Sequence, residues 1–208
     1  ASSYAEWIQT IADVQRPNGQ LPGIIPSGGW GFNWGSGPVW DSAFILIPYN
    51  VYLYTGDRSI IERNYGQMRQ YIRFLETLAD NRIIEFGLGD WCHYDHSRIV
   101  DTTVTVAKCA ELLGRDGDAA ELRALAAEIR EAFNKAFYHG GGTYAKGEPT
   151  ALALALEFGL CPEKERSAVA AKLAGHMENR RCRAEVGIAG AAVAPSALAA
   201  NGYADTAC

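Results

Sequence analysis

No stretch of this sequence has both the length and the apolarity to cross a membrane as a helix, which takes roughly 20 consecutive apolar residues. The most apolar candidate, residues 184–200, is built from small side chains and is interrupted by Glu185 and Pro195. Basic runs are missing too. Lys and Arg number 19 against 24 Asp and Glu, a formal net charge of −5, so the electrostatic footprint of a nucleic-acid binder is lacking. Neither a membrane nor a nucleic acid is an expected partner. The opening residues, Ala1 to Trp7, contain no basic stretch followed by an apolar one, so no signal peptide is visible. Cysteine is sparse: Cys92, Cys109, Cys161, Cys182 and Cys208 are widely spaced and form no C-x-x-C pair. That spacing argues against a structural zinc site, and no motif asks for a cofactor. Buried free thiols are the expectation, which leans toward a reducing, cytoplasmic compartment without fixing one.

What is present is an ordinary globular composition. Hydrophobic residues make up 48% of the 208 and charged residues 21%, enough apolar material for one domain with a sizeable core. No linker or strong internal repeat divides the chain, so residues 1–208 read as a single domain. The patterning is helical. Tyr4, Trp7, Ile8, Ile11 and Val14 share one helical face, and Pro17-Asn18-Gly19 stops it. Val39 to Tyr54 reads as a helix that is apolar nearly all round, with Pro48 inside it. Asp57 or Ser59 can cap the next helix, with Glu62 as a capping-box partner for Ser59. That helix, running to about Leu78, sets Ile61, Tyr65, Met68, Ile72 and Leu75 on one face. Further helices are expected at 103–113, 118–137, 150–158, 163–177 and 187–200, with one more opening at Tyr203. All-apolar helices alternate with amphipathic ones, which suits a toroid of inner and outer helices.

Two irregular segments stand out. Residues 16–38 are rich in Gly and Pro and carry Trp30, Phe32 and Trp34. Aromatic content argues against disorder, and a loop this long in a compact domain is usually functional. Residues 82–100 contain Phe86-Gly87-Leu88-Gly89-Asp90-Trp91, then His93, Asp95 and His96. The H-x-x-H spacing matches no defensible zinc motif.

The order and spacing of several motifs resemble those of glycoside hydrolase family 78, the α-L-rhamnosidases. The resemblance is carried by Gly37-Pro38-Val39-Trp40-Asp41-Ser42-Ala43, then Pro48 and Tyr52-Leu53-Tyr54-Thr55-Gly56-Asp57. It continues through Phe86-Gly87-Leu88-Gly89-Asp90-Trp91, the Ala/Leu run from Thr150 to Leu156 with Phe158-Gly159-Leu160, and Gly187-Ile188-Ala189-Gly190 with Leu198, Gly202 and Tyr203. Each motif is weak alone; together they span nearly the whole chain. One departure is Gly147-Glu148-Pro149-Thr150, where a Gln-Thr helix start would be expected.

The resemblance implies an all-α, (α/α)6 six-hairpin toroid, here incomplete. It implies hydrolysis of terminal rhamnose with inversion, which needs one carboxyl to protonate the leaving oxygen and another to activate water. The family's acid and base motifs lie before the region matching Ala1 and beyond the region matching Cys208, so catalytic residues are not assignable in this chain. Whether the chain by itself is an enzyme is left open, and the rest of a longer multidomain chain is an expected partner. The implied substrate contacts are Trp40 and Trp91, as aromatic platforms for a sugar's C–H face and methyl group, and their neighbours Asp41 and Asp90, as hydroxyl acceptors. Independently of the resemblance, Trp34 in the Gly-rich segment and His93, two residues after Trp91, are candidate contacts, Trp34 equally readable as an aromatic plug tying that segment down. Against these stand core packing for the tryptophans, helix capping for Asp41 and a turn role for Asp90. The alternative functions are a non-catalytic helical module binding carbohydrate or protein, or another (α/α)6 glycosidase.

Overall fold

The computed structural model describes residues 2–33, 37–87, 103–179 and 186–207. Among these the fold is helical, and the only β pairing is two isolated bridges, Asp80 with Ile83 and Tyr138 with Tyr144. No helix among them is long and apolar enough to cross a membrane. The chain forms two compact units, residues 1–88 with 101–128, and residues 89–100 with 129–208.

The first unit holds α1 (Ser2–Val14), α2 (Pro38–Asp41), α3 (Ala43–Thr55), α4 (Ser59–Leu78), α5 (Thr103–Leu112) and the start of α6 (Asp116–Phe137). Helix α4 organises it. Ile61, Tyr65, Met68, Ile72 and Leu75 are all buried, as the periodicity predicts, and Ile60 and Tyr71 join them. Its N-cap is Arg58, without a side-chain cap bond, and one residue ahead the Asp57 carboxylate accepts the Ser59 N–H at 2.8 Å. The capping box at Ser59 does not form. Glu62 instead pairs with Arg58 at 2.7 Å, one turn back.

Helix α3 departs from its expected all-round burial. Phe44, Ile45, Pro48 and Val51, at i, i+1, i+4 and i+7, form one buried face, while Leu53 and Tyr54 are 58% and 90% exposed. The helix runs through Pro48 and ends at Gly56, whose N–H reaches the Tyr52 carbonyl at 2.8 Å. A polar clamp joins α4 to α6. Arg69 is buried, with Nη2 at 3.1 Å from both Glu121 carboxylate oxygens, and Tyr65 donates to Asp118 at 3.0 Å.

The second unit centres on α7 (Pro149–Glu157), which is buried at every position from Pro149 to Leu156. A short 3-10 turn (Glu163–Glu165) leads into α8 (Arg166–Asn179), followed by α9 (Ile188–Ala200). The alanines of α7 let α9 approach closely, and Ala194, Ala197 and Leu198 pack there. Helix α8 buries Val169, Ala170, Leu173, Ala174 and Met177, the single stripe of an outer helix. Asn134 ties the periphery together, donating to the Leu160 carbonyl at 2.7 Å and accepting from the Tyr144 hydroxyl at 2.5 Å. The helix expected from Tyr203 is a single turn among the described residues, with the Tyr203 carbonyl accepting from Thr206 and Ala207. Gly202, at φ 88°, ends α9 just before it and turns the chain off the helix axis. Cys109 and Cys161 are buried free thiols, and burial pushes Cys109 up to about 12.

Candidate functional site

The Gly-rich segment before α2 is laced to the helices rather than loose. Gln15 donates through Nε2 to the carbonyls of Gly19 and Gln67, at 3.0 Å each, and Gln70 donates to the Pro17 carbonyl. Gln20 holds the Phe32 carbonyl at 3.0 Å, and the Arg16 guanidinium lies 3.7 Å from the centre of the Phe32 ring. Trp7 of α1 donates its indole N–H to the Ile25 carbonyl at 3.2 Å. These bonds hold the segment as far as Phe32, and from Gly37 Trp40 and Asp41 follow within one helical turn.

Asp41 is buried, with 8% of its surface exposed. Its Oδ2 accepts the Gly37 N–H at 3.0 Å and the Tyr71 hydroxyl at 3.3 Å. Burial raises its pKa to about 7, and the two hydrogen bonds oppose that rise without cancelling it. The phenol responds in turn: burial, and then the charge and hydrogen bond of Asp41, push Tyr71 well above its usual range. The N-capping alternative for Asp41 does not hold: Gly37 and Ser42 are the N-caps of α2 and α3, and Asp41, at the end of α2, reaches back to the Gly37 amide. Its carboxyl changes charge near neutrality.

Gly37 also marks where two segments meet. Its φ is 127°, open in practice to glycine alone. A Cβ there would fall 2.7 Å from Gly87 Cα and 3.0 Å from the Phe86 carbonyl oxygen. Phe86 in turn meets Phe74 edge-on, ring centres 6.5 Å apart, and Phe74 lies 6.5 Å from Tyr71. Contacts thus run in a closed circuit from Asp41 through Tyr71, Phe74, Phe86 and Gly37 back to Asp41. The circuit joins the start of α2, the middle of α4 and the base of the segment that continues toward Asp90 and Trp91.

Of the residues expected to contact substrate, Trp40 and Asp41 are described, adjacent at the end of α2, with Trp40 half-buried. Trp34, Asp90, Trp91 and His93 lie outside the described residues, as do Asp95, His96 and Asp101. Trp30 is half exposed near the tip of the Gly-rich segment. Sequence reasoning missed Tyr71. Its position three residues after Met68 signals a buried face but says nothing about a hydroxyl meeting Asp41. Among the described residues, no group of three or more His, Cys, Asp or Glu side chains is arranged to hold a metal ion.

Comparison with known proteins is decisive for the family. The profile of the bacterial alpha-L-rhamnosidase 6 hairpin glycosidase domain matches residues 1–208. The chain belongs to this family. Its fold class is accordingly all-α, of the six-hairpin (α/α)6 type. An α-L-rhamnosidase of Streptomyces avermitilis is 26% identical over 218 residues, which takes in 100% of this chain and 21% of that one. A crystal structure of a Streptomyces avermitilis α-L-rhamnosidase complexed with L-rhamnose matches with a TM-score of 0.88 at 26% identity, covering 97% of this chain and 20% of that one. The α-L-rhamnosidase from Dictyoglumus thermophilum matches with a TM-score of 0.86 at 28% identity, covering 98% of this chain and 25% of that one. The chain thus spans about a fifth to a quarter of the length of these relatives.

Proposed function

We propose that this chain is part of an α-L-rhamnosidase and supplies walls of its sugar pocket. The observation that carries this reading is the pairing of half-buried Trp40 with buried, tightly held Asp41 at the junction of two segments. An aromatic face beside a carboxyl is the combination that grips a deoxy sugar, by stacking on its C–H face and accepting from its hydroxyls. A relative of the same fold was crystallised with L-rhamnose, which supports that sugar as the ligand. Asp90 and Trp91 are assigned to the same pocket on the family resemblance alone. Trp34 is assigned to its outer side from its place in the Gly-rich segment, and His93 to its edge because it follows Trp91 by two residues in the sequence.

Residues 1–208 are read as a portion of one helical-barrel domain within a longer chain. The acid and base of inverting hydrolysis are assigned to parts of that longer chain, since neither of the family's acid and base motifs is found between Ala1 and Cys208. The test is hydrolysis of an aryl α-L-rhamnoside by the 208-residue chain, with L-rhamnose titrated in a calorimeter. Binding without cleavage is expected, with Trp40→Ala and Asp41→Asn each weakening it about tenfold or more. Cleavage would overturn the assignment of the catalytic pair and make Asp41, already titrating near neutrality, the first acid to substitute. Absence of binding would overturn the pocket reading.

A further inference from the structure

Asp41 receives its two hydrogen bonds from different elements, the Gly37 amide ahead of α2 and the Tyr71 hydroxyl on α4, and both fall on Oδ2. Two donors on one oxygen fix the rotation of a carboxylate about its terminal bond and leave the other oxygen to a further donor. The second of these donors is itself immobile. Tyr71 is fully buried, and the Phe74 ring, backed by Phe86, lies against it. The hydroxyl therefore cannot follow Asp41 if the carboxylate swings; it dictates one orientation.

We propose that Tyr71 is a positioning residue of the sugar site, its hydroxyl holding Asp41 Oδ2 so that Oδ1 is presented to a sugar hydroxyl. The proposal rests on reading Trp40 and Asp41 as pocket wall. Tyr71 touches no sugar in this scheme and acts wholly through Asp41. A tyrosine that merely satisfied a buried carboxyl would alter stability and leave sugar affinity alone. A positioning tyrosine alters affinity, and only while the Asp41 carboxylate is present to be positioned.

That difference defines the experiment. L-rhamnose is titrated into the 208-residue chain, Tyr71→Phe, Asp41→Asn and the double variant, at several pH values from 5 to 9. Phenylalanine keeps the packed ring and removes only the hydroxyl. Carboxyl-carbon NMR of labelled aspartate follows the Asp41 titration in the unliganded chains. The expected result is roughly tenfold weaker binding by Tyr71→Phe, an Asp41 titration moved further upward, and no additional loss in the double variant beyond that of Asp41→Asn. Wild-type affinity retained in Tyr71→Phe, or losses that simply add in the double variant, would overturn the role of Tyr71 while leaving the pocket intact. No rhamnose binding by the unaltered chain would instead overturn the pocket reading, and the positioning role with it. A shifted NMR titration would then show that the Tyr71–Asp41 bond is structural alone.

Discussion

Gly190 of α9 sits so close to Thr150 of α7 that a methyl group on the glycine would run into the threonine hydroxyl and the Val186 side chain. Thr150 is fully buried, so it has nowhere to retreat. The closeness of α7 and α9 is thus set at this point by the absence of a side chain.

Gly190→Ala is expected to destabilise the protein by about 1–3 kcal/mol through overpacking. Gly175→Ala in α8 is the matched control. A Cβ there meets nothing within 4 Å, and replacing a helical glycine should stabilise by about 0.5–1 kcal/mol. Thermal melts of the two variants should move in opposite directions.

Asp41 should give stability an unusual pH dependence. Its folded pKa, about 7, lies above the ordinary value of 3.8. Between those values the folded state binds the proton more tightly than the unfolded chain, so stability falls as pH rises. The contribution is fully present below about pH 3.8 and lost as pH climbs through 7, and its size is on the order of 4 kcal/mol. Asp41→Asn removes this term. Denaturant melts should show the variant gaining on the wild type steadily from pH 4 to pH 8; parallel curves would contradict the buried, perturbed carboxyl.

The α4–α6 clamp should depend on its arginine more than on either acid. The Arg69 side chain is 9% exposed, whereas Glu121 is 65% and Asp118 34% exposed. Glu121→Gln leaves the guanidinium with Asp118 at 3.7 Å and should cost under about 1 kcal/mol, like other pairs at the surface. Arg69→Ala removes buried packing as well as charge, and about 2–3 kcal/mol is expected from the buried volume lost. Chemical denaturation of both variants at low and high salt would check the ranking.

At the start of α4, Asp57→Ala should lower the melting temperature, while Ser59→Ala should leave it nearly unchanged. The reason is that Asp57, not Ser59, holds the exposed amide. Equal losses would point back to the capping box at Ser59.

Much of the helical plan is legible in the sequence because periodicity reports burial directly. The stripe Ile61, Tyr65, Met68, Ile72, Leu75 needs only a 3.6-residue repeat to be seen. The all-apolar run from Thr150 to Leu156 likewise announces an inner helix, and the structure buries every one of its residues. Periodicity fails where the chain stops obeying it. Leu53 and Tyr54 are as apolar as their neighbours in α3, yet they stand exposed, and composition alone cannot rank one face of such a helix above another. The Trp40–Asp41 pair proposed as pocket wall was readable through the family motif, but the Tyr71 contact was not. A hydroxyl 30 positions away from its carboxylate leaves no local trace, and the approach of Gly37 to Gly87 is a fact of three dimensions alone.

The lacing of the Gly-rich segment has a practical corollary for anyone wishing to rebuild it. Its two ends are locked: a side chain at Gly19 would strike the Gln70 carbonyl, and one at Gly37 would strike Gly87. Between them, nothing lies within 4 Å of a Cβ at Gly28 or Gly29, which sit inside a turn closed by the Trp30 amide on the Ser27 carbonyl. A fluorescent label or extra residues spliced in between Gly28 and Gly29 would interrupt that turn alone and leave the Gly23–Gly31 and Gln20–Phe32 bonds in place. The segment is a socket with a replaceable rim.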